Sequence, residues 1–434
     1  MIFNLPPLLG FLPLIVYLIL VFKGVSIIGS LIVSIIMAAI LTGQTLLSFT
    51  GIITNSLGSF MSLIGFVIIM GAGLGKVLTQ TKVAHTFVHF ILRTVGIKTQ
   101  KQATIAIIVA GCLLTAMLGT SSGAVAIMAP IVIPICASLG FTRNTVGVVF
   151  QGAVATGLFL GPFTPAVVTT LGLSGVPFST YLIHVGIPIS VLIWLSTYFM
   201  SQRIQKATEK DPNNFYTKED YDSSEEFTPT KVSKRGTIVF LLAMLVMVII
   251  GMVVNGGAAF ALMIIFVSGA AMAIACRVKY EDFINWMIEG STVLISIWLA
   301  FLLYDPFVNL VSASGAFTAI AELVKPLIDA GGTIIFTIIT TFIGVFGITG
   351  AAVAQEQILH SMFLPTAQAI GFPMHIWALI LLVGSQITSF VIPGSDLIAP
   401  MGLARSNDLK SMLKNGYVIA ALTIAYVVIR GLFV

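Results

Sequence analysis

The chain has 434 residues, of which 58% are apolar and 9% charged, with a formal net charge of +5. Soluble domains carry roughly a quarter of their residues as charges, so a globular water-soluble enzyme is excluded, and a mean hydropathy of +1.08 excludes disorder. The few excess positive charges form no basic cluster interleaved with aromatics, so no nucleic-acid partner is expected.

The composition predicts an all-α polytopic membrane protein. Met1–Pro7 carries no positive charge and no small-residue cleavage site follows Leu8–Phe22, so that run reads as a retained first span rather than a signal peptide. A bilayer core about 30 Å thick takes roughly 20 apolar residues per helix. By that measure the first half offers spans at 7–22, 25–42, 60–76, 144–172 and 180–200. The second offers 236–254, 257–275, 285–303, 373–403 and 414–432. Two further apolar segments, 102–140 and 332–371, are each split by a small polar cluster and are either two short crossings or one re-entrant hairpin. Two amphipathic stretches, Lys82–Gly96 and Ser312–Asp329, precede them and suit helices lying in the interface. Cys112, Cys136 and Cys276 are far apart in apolar runs and make neither a disulfide framework nor a metal site.

Lys and Arg in short loops set the orientation. With both termini extracytoplasmic, every one of the 21 basic residues except Lys325 and Arg430 falls on the cytoplasmic side. Segment 201–235, with Lys218, Glu219, Asp220, Asp222, Glu225 and Glu226, is the one break in composition and reads as a solvated cytoplasmic linker. It separates a first repeat, 1–200, from a second, 236–434. Each half has five crossings and one split segment, so the second lies upside down relative to the first. A weak echo follows at an offset of roughly 230: Gly123–Ala126 with Ala351–Ala354, Gly152 with Gly384, Pro162 with Pro393. Inverted repeats are a signature of secondary transporters, with the substrate site where the repeats meet.

Four interruptions mark that site. The split segments turn at Gly119-Thr120-Ser121-Ser122-Gly123 and at Gly347-Ile348-Thr349-Gly350. The long spans break at Gly161-Pro162-Phe163-Thr164-Pro165 and at Ile392-Pro393-Gly394-Ser395-Asp396. Backbone freed inside a membrane is tolerated only within protein or beside a cavity. Freed carbonyls suit a cation, and the helices restarting after each break direct N–H groups and a positive dipole end at a carboxylate. One such break would read as a kink between packed helices; four in matching positions read as a site. Thr120, Ser121, Ser122, Gly123, Thr164, Thr169, Thr349, Gly350 and Ser395 are the expected substrate-binding residues.

No Asp or Glu precedes Glu209, so the first half has no side-chain carboxylate. Membrane carboxylates are costly and usually functional. Asp396, inside a break, is the expected cation or proton carrier, and Glu356 with His360 one turn later is an expected proton relay or an interfacial pair. Asp305-Pro306 reads as the end of a span. His85, His89, His184 and His375 read as interfacial side chains. Gly119–Gly123 also fits the G-x-S-x-G nucleophile pattern, but that motif needs a strand-to-helix turn with acid and His partners, and this half has no acid.

Leu57–Lys76 (LGSFMSLIGFVIIMGAGLGK), Gly119–Pro134 (GTSSGAVAIMAPIVIP) and Gly384–Gly402 (GSQITSFVIPGSDLIAPMG) resemble the ion transporter superfamily. That superfamily spans gluconate permease-like, NhaC-type Na+/H+ antiporter-like and dicarboxylate carrier families. The resemblance implies scaffold-plus-transport repeats, hairpin tips that bind substrate, elevator-type movement and, by analogy, a homodimer. By matching position the tips are Thr120–Gly123 and Thr349–Gly350. Antiporter-like members tend to carry acidic residues at the first broken helix, where this chain has Gly161-Pro162-Phe163-Thr164-Pro165. The expectation is therefore a secondary active transporter of the cytoplasmic membrane, moving a small carboxylate or amino acid with H+ or Na+. It would have no cofactor and no metal beyond a coupling Na+. A Na+/H+ antiporter is the alternative, with a passive channel or intramembrane hydrolase further off.

Overall fold

The computed structural model describes residues 6–217, 220, 227–347 and 352–434. A 3-10 turn at Pro7–Phe11 leads into α1 (Leu12–Phe22), α2 (Ile27–Thr42), α3 (Leu46–Ser56), α4 (Phe60–Gln80) and α5 (Val83–Val95). Next come α6 (Gln100–Leu118), α7 (Ser121–Ser138), α8 (Arg143–Leu160), α9 (Pro165–Ser174), α10 (Phe178–Tyr181) and α11 (Ile187–Thr208). The second half runs through α12 (Lys231–Val253), α13 (Phe260–Cys276), α14 (Tyr280–Val293), α15 (Ile295–Ala313), α16 (Ala316–Gly347) and α17 (Ala352–Ala369). It ends with α18 (Met374–Gln386), α19 (Thr388–Val391), α20 (Ser395–Leu403) and α21 (Leu409–Gly431).

Among the described residues, nine helical stretches are long and apolar enough to cross a bilayer. The chain is an all-helical polytopic membrane protein. Its helices divide by what they face: 17% of the apolar window of α12 is buried, against 83% across α18–α19, so α12 meets lipid and α18 forms core. Several helices start in the ordinary way, with a hydroxyl accepting an amide of the first turn. Ser26 caps α2, Thr45 α3, Ser59 α4, Thr99 α6 and Thr230 α12.

Two layers result. In one, α4 packs on α13, α14 and α15, α15 on α2 and α3, and α12 on α13. The backbones of α4 and α14 nearly touch, since a Cβ on Gly73 would lie 2.6 Å from the Met287 carbonyl oxygen. In the other layer α6 and α11 pack on α8, while α16 packs on α17, α18 and α21. The short helices cross between the halves: α9 packs against α17 and α18, and α20 against α7 and α8.

Three sequence expectations need correction. The span expected at 285–303 is two helices, because the chain turns at Leu294 (φ −109, ψ 13), leaving α14 to carry Glu289 onto Lys76 of α4 at 2.6 Å. Asp305-Pro306 therefore sits inside α15 rather than at a span end, with Asp305 accepting from Asn309 Nδ2 at 3.1 Å. A proline is tolerated there because neighbouring side chains and helices satisfy the freed backbone. Leu46–Ser56, assigned to no element from sequence, forms the capped helix α3.

The third correction is the linker, whose first part is docked rather than simply solvated. Phe215 bridges to Thr142, and the Tyr216 hydroxyl donates to the Ala404 carbonyl at 2.8 Å. Asp220 accepts from Arg143 at 2.7 Å and from Arg405 at 2.8 Å, tying the start of α8 to the α20–α21 connection. Burial works against the Asp220 charge, but the Thr217 amide, then Arg405, the Thr217 hydroxyl and Arg143, hold its carboxyl below the usual carboxylate range. A lowered native pKa stabilises above the unfolded value of about 3.9 and is lost as pH falls through the native one. The clamp is thus closed at neutral pH and opens only in acid. Asp220→Asn should lower stability by about 1 kcal/mol, a surface-pair magnitude given the exposed Arg405. At pH 7 it should also speed proteolytic cleavage within 209–230, and cleavage at the wild-type rate would show that the clamp holds nothing.

Candidate functional site

The interrupted helices converge on one cavity of about 550 Å³. Three helices open onto it by their first residues: α7 with Ser121 and Ser122, α9 with Pro165 and Ala166, α20 with Ser395 and Asp396; Ala352 and Val353, the first described residues of α17, also line it. The opposite wall is the largely apolar face of α15, including Ile297, Phe301 and Tyr304. Unlike those capped helices, α7, α9 and α20 have no side-chain cap on their first-turn amides. Those orphan donors, with the positive ends of the helix dipoles, make the cavity an anion-binding environment.

The turn before α7 is tight for a definite reason. Gly119 takes φ +70 and closes α6, so that Thr120 can extend (φ −136, ψ 133) and α7 can begin at Ser121. Only glycine adopts that left-handed conformation without steric cost. The turn delivers the Ser121 hydroxyl to Asp396, which accepts from it at 2.9 Å. A residue of the first half thus touches the break in the second. Asp396 is exposed to the cavity, and among the described residues no other acidic or basic side chain lines it.

Behind Asp396 lies a small void of about 10 Å³, lined by Ser121, Gln151, Gln386, Ser389 and Asp396 among others. That is close to the least volume that holds one water or ion. Gln151 donates its amide to the Ser389 carbonyl at 3.4 Å, while its own Oε1 is buried without a partner. An unmatched buried acceptor beside a carboxylate and a serine hydroxyl is an oxygen donor set suited to a small hard cation.

Glu356 is elsewhere. It is fully buried where α17 meets α9 and α18, with Thr170 donating to Oε1 at 2.5 Å and Ser385 to Oε2 at 3.5 Å. Among the described residues no Lys, Arg or His pairs with it. His360 accepts at Nδ1 from Trp377 Nε1 at 3.2 Å, so the two residues share a helix but no hydrogen bond. The interfacial alternative for this pair does not describe Glu356, which faces protein on all sides.

Of the residues expected from sequence, Thr120, Ser121, Ser122, Ser395 and Asp396 line the cavity. Gly123 lies just behind the tip, where a Cβ would come 2.6 Å from Thr120 Oγ1. Thr164 instead satisfies the break itself, donating to the Leu158 and Gly161 carbonyls at 2.6 and 2.8 Å. Thr169 is buried in α9 with its hydroxyl unpartnered. Thr349 and Gly350 lie outside the described residues. Sequence reasoning missed Gln151, Thr170, Gln386 and Tyr304. An uncharged amide in a helix interior was the available signal for the two glutamines, and nothing separates Thr170 from Thr169 before the helix is packed.

The Na+/H+ antiporter family model matches residues 5–204, somewhat less than half of the chain. YuiF of Bacillus subtilis (strain 168), provisionally named an amino acid transporter, is 30% identical over 112 residues. That stretch is 26% of this chain and 24% of YuiF. The crystal structure of the YdaH transporter of Alcanivorax borkumensis superposes with a TM-score of 0.67 at 14% identity, covering 87% of this chain and 86% of that one. MtrF of Neisseria gonorrhoeae, described as illuminating a class of antimetabolite efflux pumps, gives 0.66 at 16% identity, covering 88% and 84%. The chain has the fold of these transporters. Its relatives are transporters rather than enzymes, in keeping with the G-x-S-x-G run serving here as a helix-to-helix turn.

The Glu356 contacts generate a test. Thr170→Val leaves a buried carboxyl oxygen without its donor and should destabilise by about 1–3 kcal/mol, read as a lower melting temperature in detergent. Thr170→Ser should be near wild type, and Glu356→Leu with Thr170→Val should recover most of the loss. A double variant as unstable as Thr170→Val alone would mean the loss comes from packing.

Proposed function

We propose that this protein is a secondary active transporter that carries a small carboxylate-bearing solute, an organic anion or an amino acid, with Na+ or H+ as the coupling ion. The observation that carries this reading is the convergence of the N-termini of α7, α9 and α20 on a cavity that also contains the Asp396 carboxylate. The amide ends favour an anion, yet an anion beside Asp396 meets a like charge at close range. A cation on Asp396 removes that repulsion, so solute and cation each improve the other's binding. That mutual gain is the thermodynamic content of coupled transport.

In this reading Ser121, Gln151 and Gln386 help Asp396 hold the cation, and the orphan amides of α7, α9 and α20 hold the solute carboxylate. Glu356, sealed one turn along α17 from the cavity lining, is a second position where a proton must accompany the charge if it is to stay buried. The crossed packing of α9 and α20 supports two inverted repeats, 1–200 and 236–434, joined through 201–235. The apolar α15 wall supports sliding of the tip-bearing layer past a fixed one, an elevator-type movement. The distribution of Lys and Arg supports a cytoplasmic membrane location with both termini outside. A homodimer rests on the superfamily resemblance alone.

The match to the Na+/H+ antiporter family favours a second reading, exchange of Na+ for H+ with no organic solute. Purified protein in proteoliposomes separates the two. Under the first, an imposed Na+ or H+ gradient drives accumulation of a labelled carboxylate or amino acid, and Asp396→Asn lowers coupled uptake at least tenfold while Ser121→Ala lowers it several-fold. Under the second, adding Na+ collapses a pH gradient with no organic solute present. Solute counterflow indifferent to any ion gradient would reject coupling altogether.

A further inference from the structure

A second pocket, about 450 Å³, lies between α5 and the start of α12 and shares no lining residue with the transport cavity. The two helices touch at the first turn of α5, where Thr86 Oγ1 donates to Ser233 at 2.8 Å and Thr237 Oγ1 to the Val83 carbonyl at 3.3 Å. Gly236 sits at the same crossing, where a Cβ would collide with Cys276 Sγ of α13 and press on Val83 Cγ2 at 3.1 Å. Beyond this crossing the pocket follows α5 as far as Thr94.

Its chemistry is divided. His89 and Arg93, one turn apart on α5, and Lys234 on α12 line it, and among the described residues no lining residue is acidic. Of the other basic side chains at the start of α12, Arg235 donates to the Ala275 carbonyl and Lys231 does not line the pocket. His85, on the preceding turn of α5, lies against the Phe227 ring. Among the described residues neither Arg93 nor Lys234 has a carboxylate partner. Apolar walls adjoin these cations: Phe90 is 65% exposed and Ile238 59%.

From Ile238 the exposed apolar face continues along α12 through Leu242, Leu245 and Ile249, a helical i, i+4, i+7, i+11 stripe. At 1.5 Å per residue it runs about 16 Å, close to half the roughly 30 Å hydrocarbon thickness, so it matches one leaflet. A soluble anion would use the cations and leave that track bare. An anionic phospholipid uses both.

We propose that the groove between α5 and α12 is a binding site for an anionic phospholipid, its phosphate among His89, Arg93 and Lys234 and an acyl chain along the α12 stripe. Basic pockets between membrane helices are a recurrent means of holding such headgroups. Here the occupant would join the interfacial helix α5, which packs on the hairpin arms α6 and α7, to the lipid-facing helix α12.

The test uses the full-length protein in neutral detergent, titrated with phosphatidylglycerol, with phosphatidylcholine of the same acyl chains, and with glycerol 1-phosphate. Phosphatidylglycerol should raise the melting temperature saturably and survive as one retained lipid in native mass spectrometry, whereas the other two should not. Arg93→Gln with Lys234→Gln should weaken phosphatidylglycerol binding about thirtyfold, near the surface contribution of two basic residues, and Arg93→Lys with Lys234→Arg should keep it. Equal responses to the two lipids would overturn the proposal, as would an unchanged response in the glutamine pair. A full response to glycerol 1-phosphate would assign the pocket to a soluble anion instead. The readout is lipid binding, so it does not depend on which solute the protein carries.

Discussion

Backbone hydrogen bonding inside the membrane is the constraint on which this architecture depends. Helices interrupted at Gly161–Thr164 and Ile392–Gly394 free amides and carbonyls that lipid cannot satisfy. Each interruption is made tolerable by the other half of the chain: α9 is covered by α17 and α18, and α20 by α7 and α8. Thr164 closes part of the first break by donating to the carbonyls before it. The amides at the starts of α7, α9 and α20 are left uncapped and directed into one cavity. Stability and binding thus draw on the same groups, because a helix start left open for a ligand must still be shielded from lipid by its neighbours.

Two of the membrane carboxylates show how position separates roles within one bundle. Asp396 begins a helix at the cavity and is reached by the Ser121 hydroxyl of the opposite half. Glu356 is enclosed by two hydroxyls with no basic neighbour among the described residues. The cavity leaves the first exposed and packed protein encloses the second, so a change of its charge state requires a proton or cation to travel to it. The docked linker adds a different kind of constraint at the periphery. Asp220 joins arginines from both halves, so the connecting segment also braces the layer that carries the site.

Much of this was legible in the chain. Composition and span length are enough for a polytopic helical protein, since a bilayer core sets the helix length. Gly and Pro with adjacent Ser and Thr marked the interruptions, and an acid-free first half made Asp396 conspicuous. The errors fell where a local pattern had two physical solutions. An apolar run from 285 to 303 fits one helix as well as two, and only the crossing of α14 on α4, with Lys76 on Glu289, distinguishes them. A run of mixed charges fits solvent as well as a clamp, and the arginines that capture Asp220 stand 77 positions before it and 185 after.

The sequence by itself determined that this chain lives in a membrane, where its Gly- and Pro-marked interruptions fall, and which few ionisable groups it carries into the interior. Those follow from hydropathy and from backbone chemistry, which act residue by residue. Tertiary structure alone decided that Ser121 meets Asp396 across 275 positions, that Gln151 keeps an acceptor free beside them, and that Glu356 faces Thr170 rather than Thr169. Neighbours on a helix differ by about a hundred degrees, and a partner from the other half of the chain selects among them only once the two halves have packed.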